Sequence, residues 1–187
     1  MHMLQVKRDW TADDLDDLPD DGNRYEVIDG ELFVTPAPSL DHQEAVARLY
    51  MILAEYLSRE RVGRAVFAPA DVRFSKRRAV QPDLFVVPLV AGKGPKRFED
   101  VGRLLLAVEV LSPTTARADR VRKRAVFREQ GVPEYWIVDL DARLFERSTP
   151  DEARPEILDG RIEWRPEGAG APLVIDLASY FTTVLED

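Results

Sequence analysis

The chain of 187 residues is long enough to bury a substantial core, and a content of 45% hydrophobic and 9% aromatic residues excludes a disordered chain. The absence of cysteine excludes disulfides, thiolate nucleophiles and cysteine-based zinc sites; nothing argues for an oxidising compartment, and a cytoplasmic location is expected. A net charge of −8 speaks against a polyanionic partner, but Asp9, Asp13, Asp14, Asp16, Asp17, Asp20 and Asp21 account for most of it in one stretch without Lys or Arg.

The N-terminal MHMLQVKRDW lacks the apolar run of a leader peptide, and no stretch approaches the ~18 apolar residues of a membrane span, so neither a precursor nor a membrane protein is expected. Thr11 can cap a short acidic helix that Pro19 ends. In RYEVIDGELFVT two apolar-rich runs flank Asp29-Gly30, the signature of a type I′ turn, so residues 24 to 35 form a β-hairpin with Glu26 and Ile28 on one face.

After Pro36 and Pro38, Ser39 or Asp41 caps a long amphipathic helix that runs to about Arg61 and turns Leu49, Ile52, Leu53, Tyr56 and Leu57 to the core. His42 falls in its first turn, where a helix-terminus or hydrogen-bonding role suits it. Strands are expected over 64–68, 71–75 and 83–87, the last opened by Gln81-Pro82-Asp83, because Pro is tolerated where a ladder begins. Residues 91 to 98 are a loop.

The stretch RLLLAVEVLSPTTARADRVRKRAVF, 103 to 127, organises the chain. Its apolar run is broken by a single carboxylate, Glu109, and ends at Ser112-Pro113, which reads as a strand buried on both faces. Burying an ionised carboxylate costs several kcal/mol unless a cation, a metal or good hydrogen-bond donors compensate, so Glu109 needs a partner, of which Arg or a divalent ion is the usual one. Thr114 or Thr115 then caps a helix to about Gln130 with Asp119, Lys123 and Phe127 on one face; a surface pair of Asp119 and Lys123 is the plainer alternative. Ser112 suits a turn or cap better than a nucleophile, since no G-x-S-x-G context accompanies it.

A strand over 134–139 follows. Beyond it come edge strands, a second Asp-Gly turn at Asp159-Gly160 and a short final helix capped by Asp176. The whole, 1–187, is expected to be one domain with a mixed sheet and flanking helices, α/β or α+β: an acidic segment 1–23, a core from 24 to about 140, and C-terminal strands and helix 141–187. Two basic clusters, Arg73 with Lys76, Arg77 and Arg78, and Arg117 with Arg120, Arg122, Lys123, Arg124 and Arg128, are either contacts for a polyanion or solvated faces.

Glu26, Asp83, Glu109 and Lys123 call for one explanation. Two carboxylates on neighbouring strands make a site for a hard cation such as Mg²⁺, which lowers the pKa of a bound water and neutralises a phosphodiester under attack. A nearby Lys would stabilise charge developing on phosphorus.

YEVIDGEL, QPDLFVV, LAVEVLSPTT, Asp119, Lys123 and GVPEYWIVD, in this order over residues 24 to about 140, resemble the Uma-two family of the PD-(D/E)XK superfamily of restriction-endonuclease-like nucleases. The resemblance implies that fold and a Mg²⁺- or Mn²⁺-dependent endonuclease acting on nucleic acid, most simply DNA, as a homodimer if both strands are cut. It makes Asp83 the acid of the PD motif, Glu109 the second acid, Glu26 the upstream acid and the Val110 backbone oxygen a further ligand. Two positions depart from the pattern. Leu111 stands where the superfamily carries its Lys, a role that falls to Lys123 with Asp119 before it, and Phe127 stands where a Tyr is expected. A member without catalysis, binding nucleic acid or protein through the same surface, is the alternative.

Overall fold

The computed structural model describes residues 9–185, so most of the N-terminal stretch discussed above lies outside the described residues. In chain order the strands are β1 (Arg24–Ile28), β2 (Glu31–Thr35), β3 (Gly63–Phe67), β4 (Val72–Ser75), β5 (Arg78–Val80), β6 (Leu84–Pro88), β7 (Leu106–Val110), β8 (Tyr135–Asp139), β9 (Leu144–Ser148), β10 (Glu156–Leu158), β11 (Arg161–Trp164) and β12 (Leu173–Asp176). The helices are α1 (Leu40–Glu60), α2 (Arg124–Glu129), which continues from a π-helical turn over Ala118–Lys123, and α3 (Leu177–Leu185).

Local chemistry sets several boundaries. Asp29 and Gly30 both take positive φ, 54° and 86°, as a type I′ turn requires, and β1 pairs with β2 in register from Arg24↔Thr35 to Ile28↔Glu31. Ser39 Oγ accepts the His42 N–H, and α1 ends where Arg61 turns left-handed. The acidic segment forms a 3₁₀ turn over Ala12–Asp17, its start fixed by a reciprocal box between Thr11 and Asp14. Asp176 accepts the Ser179 N–H at 2.8 Å and caps α3.

The central sheet has the order β10-β9-β8-β7-β6-β3. Within it β7 and β8 run parallel, because the chain crosses over between them through the π-helical turn and α2, and the other neighbours are antiparallel. β7 is buried at every position, as the uninterrupted apolar run demands. Leu106, Val108 and Val110 face a core shared with α1, α3 and the β11–β12 ribbon. Ala107 faces a second core with Val126 and Phe127 of α2 and residues of the other sheet, β2-β1-β5-β4. Glu109, two residues on from Ala107, points to that second side.

The fold departs from the sequence reading in three respects. The hairpin joins β4 and β5 in a sheet of its own instead of extending the central one, and β5 itself, three residues long, escapes any periodicity. Asp159-Gly160 makes a bend without positive φ, and the strands on either side go to different sheets: β10 pairs with β9 and β11 with β12. The strand expected from Asp83 begins at Leu84, and Asp83 adjoins the ladder only through its carbonyl, which accepts the Ala68 N–H at 3.0 Å. Among the described residues no helix is long and apolar enough to cross a membrane.

The arginines of the first basic cluster are matched internally. Arg73 pairs with Asp16 and Asp71, Arg77 with Asp9, and Arg78 with Asp29 and Glu129. The acidic segment is tied down as well by Ala12 N–H to the Lys76 carbonyl at 2.7 Å and Trp10 N–H to the Gly30 carbonyl at 2.9 Å. Much of the chain's local acidity therefore serves to dock this segment.

Candidate active site

The site begins with a deficit at the end of a ladder. β6 and β7 pair as far as Leu84↔Val108, and continuing that register would set Pro82, which has no N–H, opposite Val110. A proline there offers no donor to the Val110 carbonyl, and beyond the last ladder pair the Val110 N–H donates to Asp83 Oδ2 at 2.8 Å. The same oxygen lies 3.1 Å from His42 Nε2, and Oδ1 receives Arg24 Nη1 at 2.7 Å. A Pro-Asp pair at the mouth of β6 thus holds a buried carboxylate against three donors.

On the second face of the sheet, Glu109 meets the π-helical turn. Lys123 Nζ stands 2.9 Å from Glu109 Oε1, 3.0 Å from Glu26 Oε2 and 3.4 Å from Asp119 Oδ1. Glu26 arrives on β1, its other oxygen accepting the Gln81 N–H at 2.7 Å. Asp119 and Lys123 are 1% and 3% exposed, which overturns the surface-pair alternative. Among the described residues the cation beside Glu109 is a lysine and not an arginine.

Glu26, Asp83, Glu109 and Asp119 are all buried around two permanent cations, Lys123 and Arg24. Burial is the largest influence on each shifted group, and the balance against it differs. For Asp83 burial raises the pKa, but the His42 hydrogen bond and the Arg24 charge outweigh it and hold the carboxyl well below its ordinary range. For Glu109 burial, reinforced by Asp83, Asp119 and Glu26, prevails over Lys123 and drives the pKa well up. Asp119 is raised for the same reason. Lys123 is held well above its ordinary value, since Glu109, Glu26 and Asp119 together exceed the cost of burying its charge. Asp119 Oδ1 is buried without a hydrogen-bond partner.

Asp83, Glu109, Asp119 and Lys123 border a cavity of about 710 Å³, also lined by Arg24, His42, Val110 and Ser112, while Glu26 reaches Lys123 from β1 without lining it. Ser112 behaves as a cap: its Oγ accepts the Thr115 N–H at 3.3 Å and its carbonyl accepts the Ala116 N–H at 3.1 Å. Among the described residues no three carboxylate or imidazole groups stand together at metal-ligand spacing, since Lys123 and Arg24 draw the acids toward themselves.

Two participants were not read from the sequence. Arg24 shares the Glu26 face of β1 by strand alternation, a signal available one residue before the quoted motif. Tyr135 donates its hydroxyl to the Asp119 carbonyl at 3.1 Å and packs its ring 4.8 Å from that of Phe127; a phenol from β8 thus reaches the helix at whose position 127 the hydroxyl is missing. In the second basic cluster, Arg120 bridges Asp139 at 2.8 Å and Glu146 at 2.6 Å at the cavity rim, and Arg122 reaches Glu31 at 3.2 Å.

Comparison with known proteins agrees with this architecture. The chain resembles a crystal structure from Anabaena variabilis described as "a putative nuclease belonging to DUF820", with a TM-score of 0.78 and 19% identity over 94% of this chain and 99% of that one. At that identity the likeness speaks for the fold, a restriction-endonuclease-like mixed sheet flanked by helices. No curated protein matches. The model of the Uma2 family, described as "Putative restriction endonuclease", matches residues 12–178, and the chain belongs to that family.

Proposed function

We propose that the protein is a Mg²⁺- or Mn²⁺-dependent endonuclease that hydrolyses phosphodiester bonds of DNA. The observation that carries this reading is the charge imbalance beneath the cavity. With all four carboxylates ionised, Lys123 and Arg24 leave an excess of negative charge in a buried setting, where each uncompensated ion costs several kcal/mol. The raised pKa of Glu109 and of Asp119 is the same imbalance seen as proton affinity.

The donors present fit a hard divalent cation. They are oxygens, they border an open cavity, and Mg²⁺ is commonly held by one or two carboxylates with waters completing its shell, so a third converging acid is unnecessary. Asp83, Glu109 and the Val110 carbonyl would hold the ion, with Glu26 as an auxiliary acid. A bound ion supplies a water of lowered pKa and neutralises phosphate charge. Lys123, anchored by Glu26 and Glu109, holds a fixed positive charge where the phosphorus centre gains negative charge. His42 and Arg24 fix the Asp83 carboxylate so that no reorganisation is needed as the reaction proceeds.

A catalytically silent reading draws on one observation: Asp83 already receives three donors, so both of its oxygens are engaged. The melting temperature separates the two. A ligand that binds only the native state raises it, so Mg²⁺ or Mn²⁺ should stabilise the wild type, and Asp83→Asn or Glu109→Gln should each abolish the shift. An unshifted wild type, or a full shift in both variants, removes the metal site.

A further inference from the structure

Beside the carboxylate cavity lies another of about 690 Å³, within the range that holds small ligands, and its walls are of a different kind. Tyr50 and Met51 of α1 and Phe67 at the end of β3 form them, with Gln43 at the rim. Tyr50 and Phe67 meet edge to face, centroids 5.0 Å apart at 78°, an arrangement that leaves Phe67 52% exposed. Among the described lining residues Arg24 is the single permanent cation, and Asp20 and Asp83 are acids, so these walls would not track a phosphate chain.

The two cavities share as a common partition the polar side chains Arg24, His42 and Asp83 and the loop Pro36–Ala37–Pro38. Arg24 Nη1 is fixed there by the Gln81 carbonyl at 3.2 Å and by Asp83 at 2.7 Å. A ligand crossing this partition meets hard oxygen ligands and cations on one side and aromatic faces on the other.

We infer that the second cavity is a nucleobase subsite, which takes the base of the nucleotide next to the phosphate held in the carboxylate cavity. This rests on the function proposed above and extends it to the form of the substrate. A nucleotide is an anion joined through a sugar to a flat π-faced ring, the same succession that the two cavities present across Arg24. That continuity selects a nucleotide over an apolar peptide, which would have no use for the charged partition. Aromatic faces hold bases with little regard to sequence. A base stacked within a duplex cannot reach such a pocket, so the subsite selects single-stranded, frayed or flipped nucleotides.

The test measures binding of a labelled single strand of about 12 nucleotides, within the span such proteins cover, with Ca²⁺ in place of Mg²⁺. A single abasic nucleotide is then walked along that strand. One abasic position should weaken binding about 5- to 100-fold, the factor equivalent to one stacked base. Phe67→Leu, which keeps an apolar side chain but removes the π-face, should weaken the intact strand by a similar factor and leave the abasic strand unchanged. A strand that binds, and is cut with Mg²⁺, but is indifferent to every abasic position overturns the subsite alone. Equal weakening of intact and abasic strands by Phe67→Leu overturns it too, as does tighter binding of intact duplex. If the apolar dye ANS binds the cavity and no oligonucleotide displaces it, the cavity belongs to a protein partner. Absence of both binding and cleavage overturns the nuclease reading and the subsite with it.

Discussion

Lys123 Nζ lies 2.9 Å from Glu109 Oε1, joining a π-helical turn to the centre of the most buried strand of the sheet. Both side chains are almost wholly removed from water, at 4% and 2% exposure. Such a pair is weak evidence for stability, since well-packed apolar side chains in place of a buried ion pair are commonly neutral or more stable by about 1–4 kcal/mol. The fold could dispense with it, and the reason for its presence is sought in chemistry.

Glu109→Gln should leave the metal-free protein as stable as the wild type or more so at pH 8. Lys123 keeps Glu26 and Asp119 as counter-ions, and one buried charge disappears. The sign follows from proton binding. With its pKa raised above the ordinary 4.5, native Glu109 binds more protons than the unfolded chain, so its contribution to stability falls as pH rises from about that value through the folded pKa. Below that window the protonated carboxyl resembles the amide. Thermal melts should show a variant advantage on the order of 3 °C per kcal/mol at pH 8, shrinking toward pH 5. A large loss of stability at pH 8 would mean that the Glu109–Lys123 bridge is structural.

Arg24→Gln should lower metal-free stability by about 3 kcal/mol, because it strips a buried carboxylate of its main counter-charge. Asp83 has a depressed pKa, so its contribution is present above the ordinary 3.8 and is lost as pH falls through the folded value. Removing Arg24 narrows that depression and moves the acid limb of unfolding to higher pH. Divalent ions should restore more stability to this variant than they add to the wild type, since the guanidinium and the metal compete for Asp83. Acid titration followed by circular dichroism, with and without Mg²⁺, reads both effects.

Ser112→Ala should cost no more than about 1 kcal/mol, the usual loss for a helix cap, because the Thr115 N–H loses the Ser112 hydroxyl but keeps the Ser112 carbonyl at 3.2 Å. Cleavage should be unaffected once the protein is folded. A variant with normal stability but no activity would make Ser112 a reacting group.

Features set by a few neighbouring residues were legible in the sequence. The Asp29-Gly30 turn, the Ser39 and Asp176 caps and the buried strand around Glu109 all follow from local sterics, hydrogen bonding or an apolar run. The features that escaped depend on distant pairing. β5 exists because Arg78 and Ala79 find partners on β1, and Asp159-Gly160 fails as a hairpin because β10 and β11 find better partners elsewhere. The candidate site was legible as a set of residue types, since a lone Glu in an apolar strand demands a partner. That Lys123 answers Glu26, Glu109 and Asp119 together, and that Arg24 and His42 hold Asp83, arises only when two sheets and two helices are packed.

The central claim is that this buried cluster cuts phosphodiester bonds, and single-turnover cleavage tests it most directly. Nicked, single-stranded and duplex DNA would each be incubated with excess protein in Mg²⁺ or Mn²⁺, for the wild type and for Lys123→Met, alongside metal titrations by melting temperature. The expected result is metal-dependent cleavage by the wild type, slowed about 10²-fold or more in the variant, the scale for losing one electrostatic stabiliser. Metal affinity should be equal or slightly higher in the variant, because the ammonium repels the ion. Cleavage at the wild-type rate by Lys123→Met would contradict the role of Lys123, and no cleavage of any substrate by the wild type would contradict the nuclease assignment itself.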